Sequence, residues 1–200
     1  RVEEAALTAG GQQVISVTAG IEDMLYEMAA MSSNALSGVV RTSQVSAGGS
    51  MTLHDAGDRR PNGYHYVTTR FHNQLPDPAA VGEEVARRTQ GLLGAKKIPT
   101  ATLPIIIENR VAPRILYNLI GPLSGSAIQQ KRSFLADKKG QRIASEVLTL
   151  IDDASLPGGL MSATFDRDGF PSRRRVIIEN GVLKEFFVDW YYSRKLGWEP

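Results

Sequence analysis

Hydrophobic positions along this chain change their period several times, and each change predicts a new element. In residues 12–18, Val14, Ile15 and Val17 stand among short polar side chains, which predicts a strand. Residues 35–46 and 64–71 repeat that β-branched and aromatic pattern. Ala47-Gly48-Gly49-Ser50 and Arg60-Pro61-Asn62-Gly63 lie between them and read as turns. At Asp77-Pro78 the period lengthens: an Asp caps a helix and a Pro suits its first turn. Val81, Val85, Leu92 and Leu93 mark the apolar stripe of that helix, and Gly94 ends it.

Residues 98–102 read as a linker, and residues 103–107 are apolar and short enough for a buried strand. A second helix starts at Pro113, with Ile115, Leu116, Leu119, Ile120 and Leu123 at three- and four-residue spacing. Pro122 should kink or divide it. The last third is β-like. Residues 147–151 predict a strand and residues 166–169 a turn. Residues 173–179 and 182–188 flank Asn180-Gly181, a two-residue hairpin signal. Both faces of that hairpin mix charged and apolar residues, so the pattern leaves its buried face open. Residues 191–196 start a short helix, and no repeat or low-complexity tract interrupts the chain. The fold class is α+β, mixed helices with antiparallel sheet.

Composition narrows the possible roles. A chain of 200 residues with 42% apolar content can bury a sizeable core. The net charge of +2 gives no electrostatic reason to expect nucleic acid or an anionic membrane. With no Cys, the chain has neither a disulfide framework nor a thiolate metal site. No apolar run approaches the roughly 20 residues of a membrane span, and a cytoplasmic location is the expectation. The chain opens on Arg1 and closes on Trp198-Glu199-Pro200, and so reads as a piece of a longer protein.

Candidate chemistry is sparse. A zinc site needs three or four ligands within roughly 2.0–2.3 Å of the ion. The three His are His54, His65 and His72; the last two would share a strand but point to opposite faces. They read as ordinary hydrogen-bonding His. Asp152-Asp153 and Asp166/Asp168 offer carboxylate pairs, but a calcium loop would need further ligands and a closing Glu, so turn formation is the preferred reading. Arg173-Arg174-Arg175 reads as a solvated strand end, or as a grip for a carboxylate or a peptide C-terminus. Gly121, Ser124, Gly125, Ser126 and Ala127 suggest close backbone approach, and no Gly-rich turn followed by Lys-Ser/Thr marks a phosphate loop.

One stretch carries more. Glu108 to Ala127, with Tyr117-Asn118-Leu119-Ile120-Gly121-Pro122 inside it, continues into Ser133-Phe134-Leu135. With Val85-Ala86-Arg87-Arg88, Gly158-Gly159-Leu160, Thr164-Phe165-Asp166, Ile178-Glu179-Asn180-Gly181 and Ser193-Arg194-Lys195-Leu196-Gly197, it resembles the TldD/PmbA (TldE) family, peptidases once called modulators of DNA gyrase. The resemblance implies a two-part fold, with residues 1–98 the later part of an N-terminal α/β region and residues 99–200 the first half of a β-rich C-terminal domain. In the TldD branch the helix carries a His-Glu-x-x-x-His zinc motif. Its two His positions are Tyr117 and Pro122 here, and its Glu position is Asn118. Tyrosine, with a pKa of about 10, is a poor zinc ligand at neutral pH, and an amide lacks the basic oxygen a peptidase needs. The bland reading makes these packing residues of a buried helix.

The resemblance therefore implies a PmbA/TldE-type, non-catalytic subunit with no catalytic, cofactor or metal residues of its own. Zinc would come from a TldD-type partner, or the chain would form a homodimer. The substrate would be an unfolded peptide, bound by strand addition, as in leader-peptide removal, maturation or degradation. Two other readings remain: a metallopeptidase in its own right, with catalytic residues outside this chain, and a peptide-binding scaffold.

Overall fold

The computed structural model describes residues 1–33 and 36–199. These divide into two compact units, residues 1–100 with 157–160, and residues 101–156 with 161–200. Both mix helices with antiparallel sheet.

In the first unit, helix α1 (Val2–Gly10) leads into strand β1 (Val14–Met31), followed by β2 (Ser37–Leu53), β3 (Asn62–Thr69) and helix α2 (Pro78–Gln90). The sheet runs β1-β2-β3, antiparallel throughout. The core lies between α1, α2 and the base of the sheet, where Ala6, Met51, Leu53, Val85 and Ala86 are buried. Asp77 caps α2 as predicted, its Oδ1 accepting from the Ala79 N–H at 2.7 Å. Helix α2 closes at Gln90, so Leu92 and Leu93 follow it, and Gly94 takes φ 67°. Helix α1 was not legible as an element, although Glu3 and Glu4 sit in its first turn, where the helix dipole favours acids.

Three strand expectations change. The first strand begins at Val14 and runs to Met31, far beyond residue 18. The predicted strand at 35–46 starts on Ala35, outside the described residues, and β2 continues to Leu53. Ala47-Gly48-Gly49-Ser50 is therefore the middle of a strand and not a turn. A Cβ on Gly48 would lie 2.3 Å from the His65 carbonyl oxygen, and one on Gly49 2.5 Å from that of Thr18. These glycines serve close strand approach. The third strand starts two residues early, and His72 leaves it to open a short 3₁₀ turn, His72–Gln74, so His65 and His72 share no strand. The turn before it begins earlier than expected: the Asp55 N–H donates to the Arg59 carbonyl at 3.0 Å.

In the second unit, helix α3 (Ala112–Ile120) is followed by α4 (Gly125–Gln129), strands β4 (Leu150–Asp153), β5 (Arg174–Glu179) and β6 (Val182–Leu183), and helix α5 (Trp190–Leu196). The sheet runs β4-β5-β6, antiparallel. Leu123, Leu135, Ile177, Ile178, Leu183 and Phe186 form its core. The Asn180-Gly181 hairpin is as predicted, with φ of 48° and 79° suiting a tight two-residue turn. Its second strand is shorter than expected. The regular strand ends at Leu183, the Lys184 N–H still donates to the Ile177 carbonyl on β5 at 2.8 Å, and Phe187 then pairs with the segment after α3: its N–H donates to the Leu123 carbonyl at 2.9 Å, and the Gly125 N–H donates to the Phe187 carbonyl at 2.7 Å. Residues 103–107 form no strand and are not buried. Ile105 is 76% exposed and Ile106 fully so, and among the described residues no strand pairs with them.

Candidate functional site

The zinc-motif positions fall on α3 and just past it. Pro113 suits the first turn, and the helix closes at Ile120, before Gly121-Pro122. Proline lacks an N–H and forces the break the sequence predicted, so α3 and α4 are separate. Ser124 caps α4, its Oγ accepting from the Ala127 N–H at 3.3 Å. The Ser133 hydroxyl donates to the Pro122 carbonyl at 2.6 Å, which ties the break to the segment after α4. Close packing holds at Gly125, where a Cβ would lie 2.9 Å from Val188 Cγ2; Gly121 faces open space.

Tyr117 and Asn118 are not packing residues of a buried helix. α3 has no buried residue, and Tyr117 is 69% exposed. The Asn118 amide donates back to the Arg114 carbonyl at 3.0 Å and to the Ile115 carbonyl at 3.3 Å. Leu119 alone on this helix packs against the core of its unit. The donor set does not fit a catalytic zinc. Tyr117 offers a phenol, the Asn118 nitrogen is already engaged with its own helix, and Pro122 has no side-chain donor and lies outside the helix. Among the described residues no three His, Asp or Glu side chains gather to hold a metal ion.

The other candidates resolve individually. Asp166 Oδ1 accepts from the N–H groups of Asp168 and Phe170, both at 2.9 Å, as the turn reading requires. Asp152 and Asp153 are not turn residues: they lie on β4, opposite Arg175 and Arg174 on β5. Asp152 Oδ2 is 2.7 Å from the Arg175 guanidinium, which also lies 5.7 Å from the Phe187 ring centre. Asp153 is 3.7 Å from Arg174, and the Ser155 hydroxyl and N–H hold its carboxyl below the usual range. The arginine run thus grips carboxylates of its own chain. His72 lies 2.9 Å from Asp23.

The hydrophobic pattern does not predict the ribbon formed by residues 24–31 and 37–44, which β3 does not cover. Ile21, Leu25 and Val39 are exposed on one face, and Met24, Tyr26 and Met28 on the other. The eighteen-residue length of β1 was hidden because its acidic and methionine positions carry weak strand preference.

The comparisons with known proteins give the class to which this fold of two α+β units belongs. Residues 100–200 match the PmbA/TldA metallopeptidase C-terminal domain. The chain belongs to the PmbA/TldD family. It is 36% identical over 134 residues to the metalloprotease PmbA of Escherichia coli O157:H7, covering 67% of this chain and 30% of that one. It is 35% identical over 104 residues to a metalloprotease of Methanocaldococcus jannaschii, covering 52% and 23%. A solved Bacteroides thetaiotaomicron protein, described as a candidate modulator of DNA gyrase, superposes with a TM-score of 0.92 at 32% identity, covering 100% of this chain and 45% of that one. TldE from Thermococcus kodakarensis gives 0.67 at 26% identity, covering 84% and 38%. The chain thus spans about a third of the PmbA relative's length and less than half of either solved structure.

Proposed function

We propose that this chain is the non-catalytic, PmbA/TldE-type component of a TldD/TldE zinc peptidase acting on unfolded peptides. The observation that carries the reading is the donor set on α3: a phenol, an amide bonded to its own helix, and a proline beyond the helix end, where the sister branch has His, Glu and His. A general base and a metal-held water are what such chemistry requires, and this surface supplies neither. Residues 1–98 then belong to the N-terminal α/β region and residues 99–200 to the first half of the C-terminal domain. Zinc comes from a TldD-type partner in the cytoplasm, and the substrates are extended peptides, as in leader-peptide removal. No helix among the described residues is long and apolar enough to cross a membrane.

The name metalloprotease carried by the PmbA relative favours a second reading, catalysis by a homodimer through residues outside this chain. Zinc content and peptidase activity of the full-length protein, alone and mixed with a TldD-type partner, separate the two. The first reading predicts cleavage only in the mixture; chelator-sensitive cleavage by the protein alone supports the second.

A further inference from the structure

The ribbon of residues 24–31 and 37–44 is paired only with itself: β3 meets β2 from Val45 to Thr52 and stops there. A lone two-stranded hairpin is marginally stable at best in water and needs further strands or a packed face. Here both faces are apolar and open. Leu25 is 81% exposed, Met31 86% and Val39 62% on one face, and Met24, Tyr26 and Met28 are exposed on the other. Their combined exposed area is of the order of the roughly 800 Å² per partner that a stable protein interface buries. Contiguous apolar surface on that scale marks a contact site.

Charge and strand edges narrow what covers it. The ribbon carries two charged side chains, Glu27 and Arg41, which lie opposite each other and form an ion pair. A charged partner therefore finds no unanswered charge, and a copy of the same surface meets no repulsion. The outer edge of β1 is open, with neither Lys nor Pro to blunt it. Its unpaired N–H and C=O groups are costly in hydrocarbon, which disfavours a lipid bilayer, and they suit another strand. The partner is thus neutral, apolar and itself a strand, and the ribbon of a second copy meets all three conditions. Two-stranded ribbons twist strongly, so a coiled pair brings both faces into contact. We propose that two copies of this chain dock ribbon to ribbon, coiled about a two-fold axis. Such docking needs neither zinc nor cleavage and goes beyond the proposed function.

The test is sedimentation velocity of the full-length protein without a partner. The parent is expected to sediment as a dimer. Leu25→Asp and Val39→Asp should each raise the dissociation constant about a hundredfold, because a two-fold interface takes each substitution twice. Val147→Asp, 88% exposed in the second unit, should leave the dimer intact. Met28→Cys adds a mid-ribbon thiol to a chain that has no Cys. A thiol-to-thiol reagent spanning roughly 10 Å, the spacing of packed sheets, should link two copies through it, and should link neither the parent nor Val147→Cys. A monomeric parent overturns the proposal, whether it stays alone, gains mass only with a TldD-type partner, or floats with neutral phosphatidylcholine vesicles. So does a dimer that tolerates both aspartates and is not linked through Met28→Cys. Zinc content and cleavage enter none of these readouts, so failure of the peptidase reading leaves the dimer standing, and loss of the dimer leaves that reading standing.

Discussion

Gly20 and Gly48 face each other across β1 and β2, yet alanine at the two positions should act in opposite directions. A Cβ on Gly48 would stand 2.3 Å from the His65 carbonyl oxygen, 2.7 Å from Tyr66 Cα and 2.5 Å from Tyr66 Cδ1. Two of those atoms are backbone of the paired strand β3, so the clash is relieved only by opening the β2–β3 ladder. Overpacking of this kind costs about 1–3 kcal/mol, partly offset by about 0.5–1 kcal/mol of chain entropy gained from replacing glycine. Gly48→Ala should therefore destabilise by about 1–2 kcal/mol. A Cβ on Gly20 meets nothing within 4 Å. Gly20→Ala should be neutral or stabilise by up to about 1 kcal/mol. Urea unfolding followed by circular dichroism reads the difference, and with slopes of about 1–3 kcal/mol/M the Gly48→Ala midpoint should fall by roughly 0.3–2 M. If Gly48→Ala unfolds at the parental midpoint, residues 47–50 are not packed mid-strand and the extended hairpin is wrong.

Three further outcomes follow from single contacts. Leu123→Ala removes a fully buried side chain from the second core and should cost about 2–5 kcal/mol in the same unfolding assay. Asp77→Ala deletes the α2 cap at the Ala79 N–H and should cost about 1 kcal/mol, with Asp77→Ser restoring most of it. Glu84 is held at a pKa of about 2, first by its hydrogen bond from Arg87, with Arg88 adding to it. A lowered carboxylate pKa stabilises the fold above the unfolded value of 4.5, and that contribution fades as pH drops toward about 2. Glu84→Gln should flatten the loss of stability across that acid window while leaving the rest of the pH profile unchanged.

Local chemistry made some of this fold legible. Asp77-Pro78 and Asn180-Gly181 act through one or two residues, and both elements formed where expected. Pro122 divides its helix because the missing N–H needs no tertiary context to act. The misreadings arose where tertiary approach decides. Gly48-Gly49 has turn composition, but neighbouring strands on either side require the absence of a Cβ there. Residues 103–107 have the apolarity of a buried strand, and among the described residues no strand pairs with them. Residues 182–188 have strand character, but Phe187 pairs with the segment after α3 and not with β5. At the candidate site, sequence identified Tyr117, Asn118 and Pro122, whereas the exposure of Tyr117 depended on how α3 meets its unit.

The central claim concerns where the metal and the catalysis reside. The most direct measurement is zinc content and cleavage of an unstructured peptide by the full-length protein, alone and mixed with a TldD-type partner. The account predicts zinc near zero on the protein alone and cleavage only in the mixture. Stoichiometric zinc with chelator-sensitive cleavage by the protein alone would contradict it.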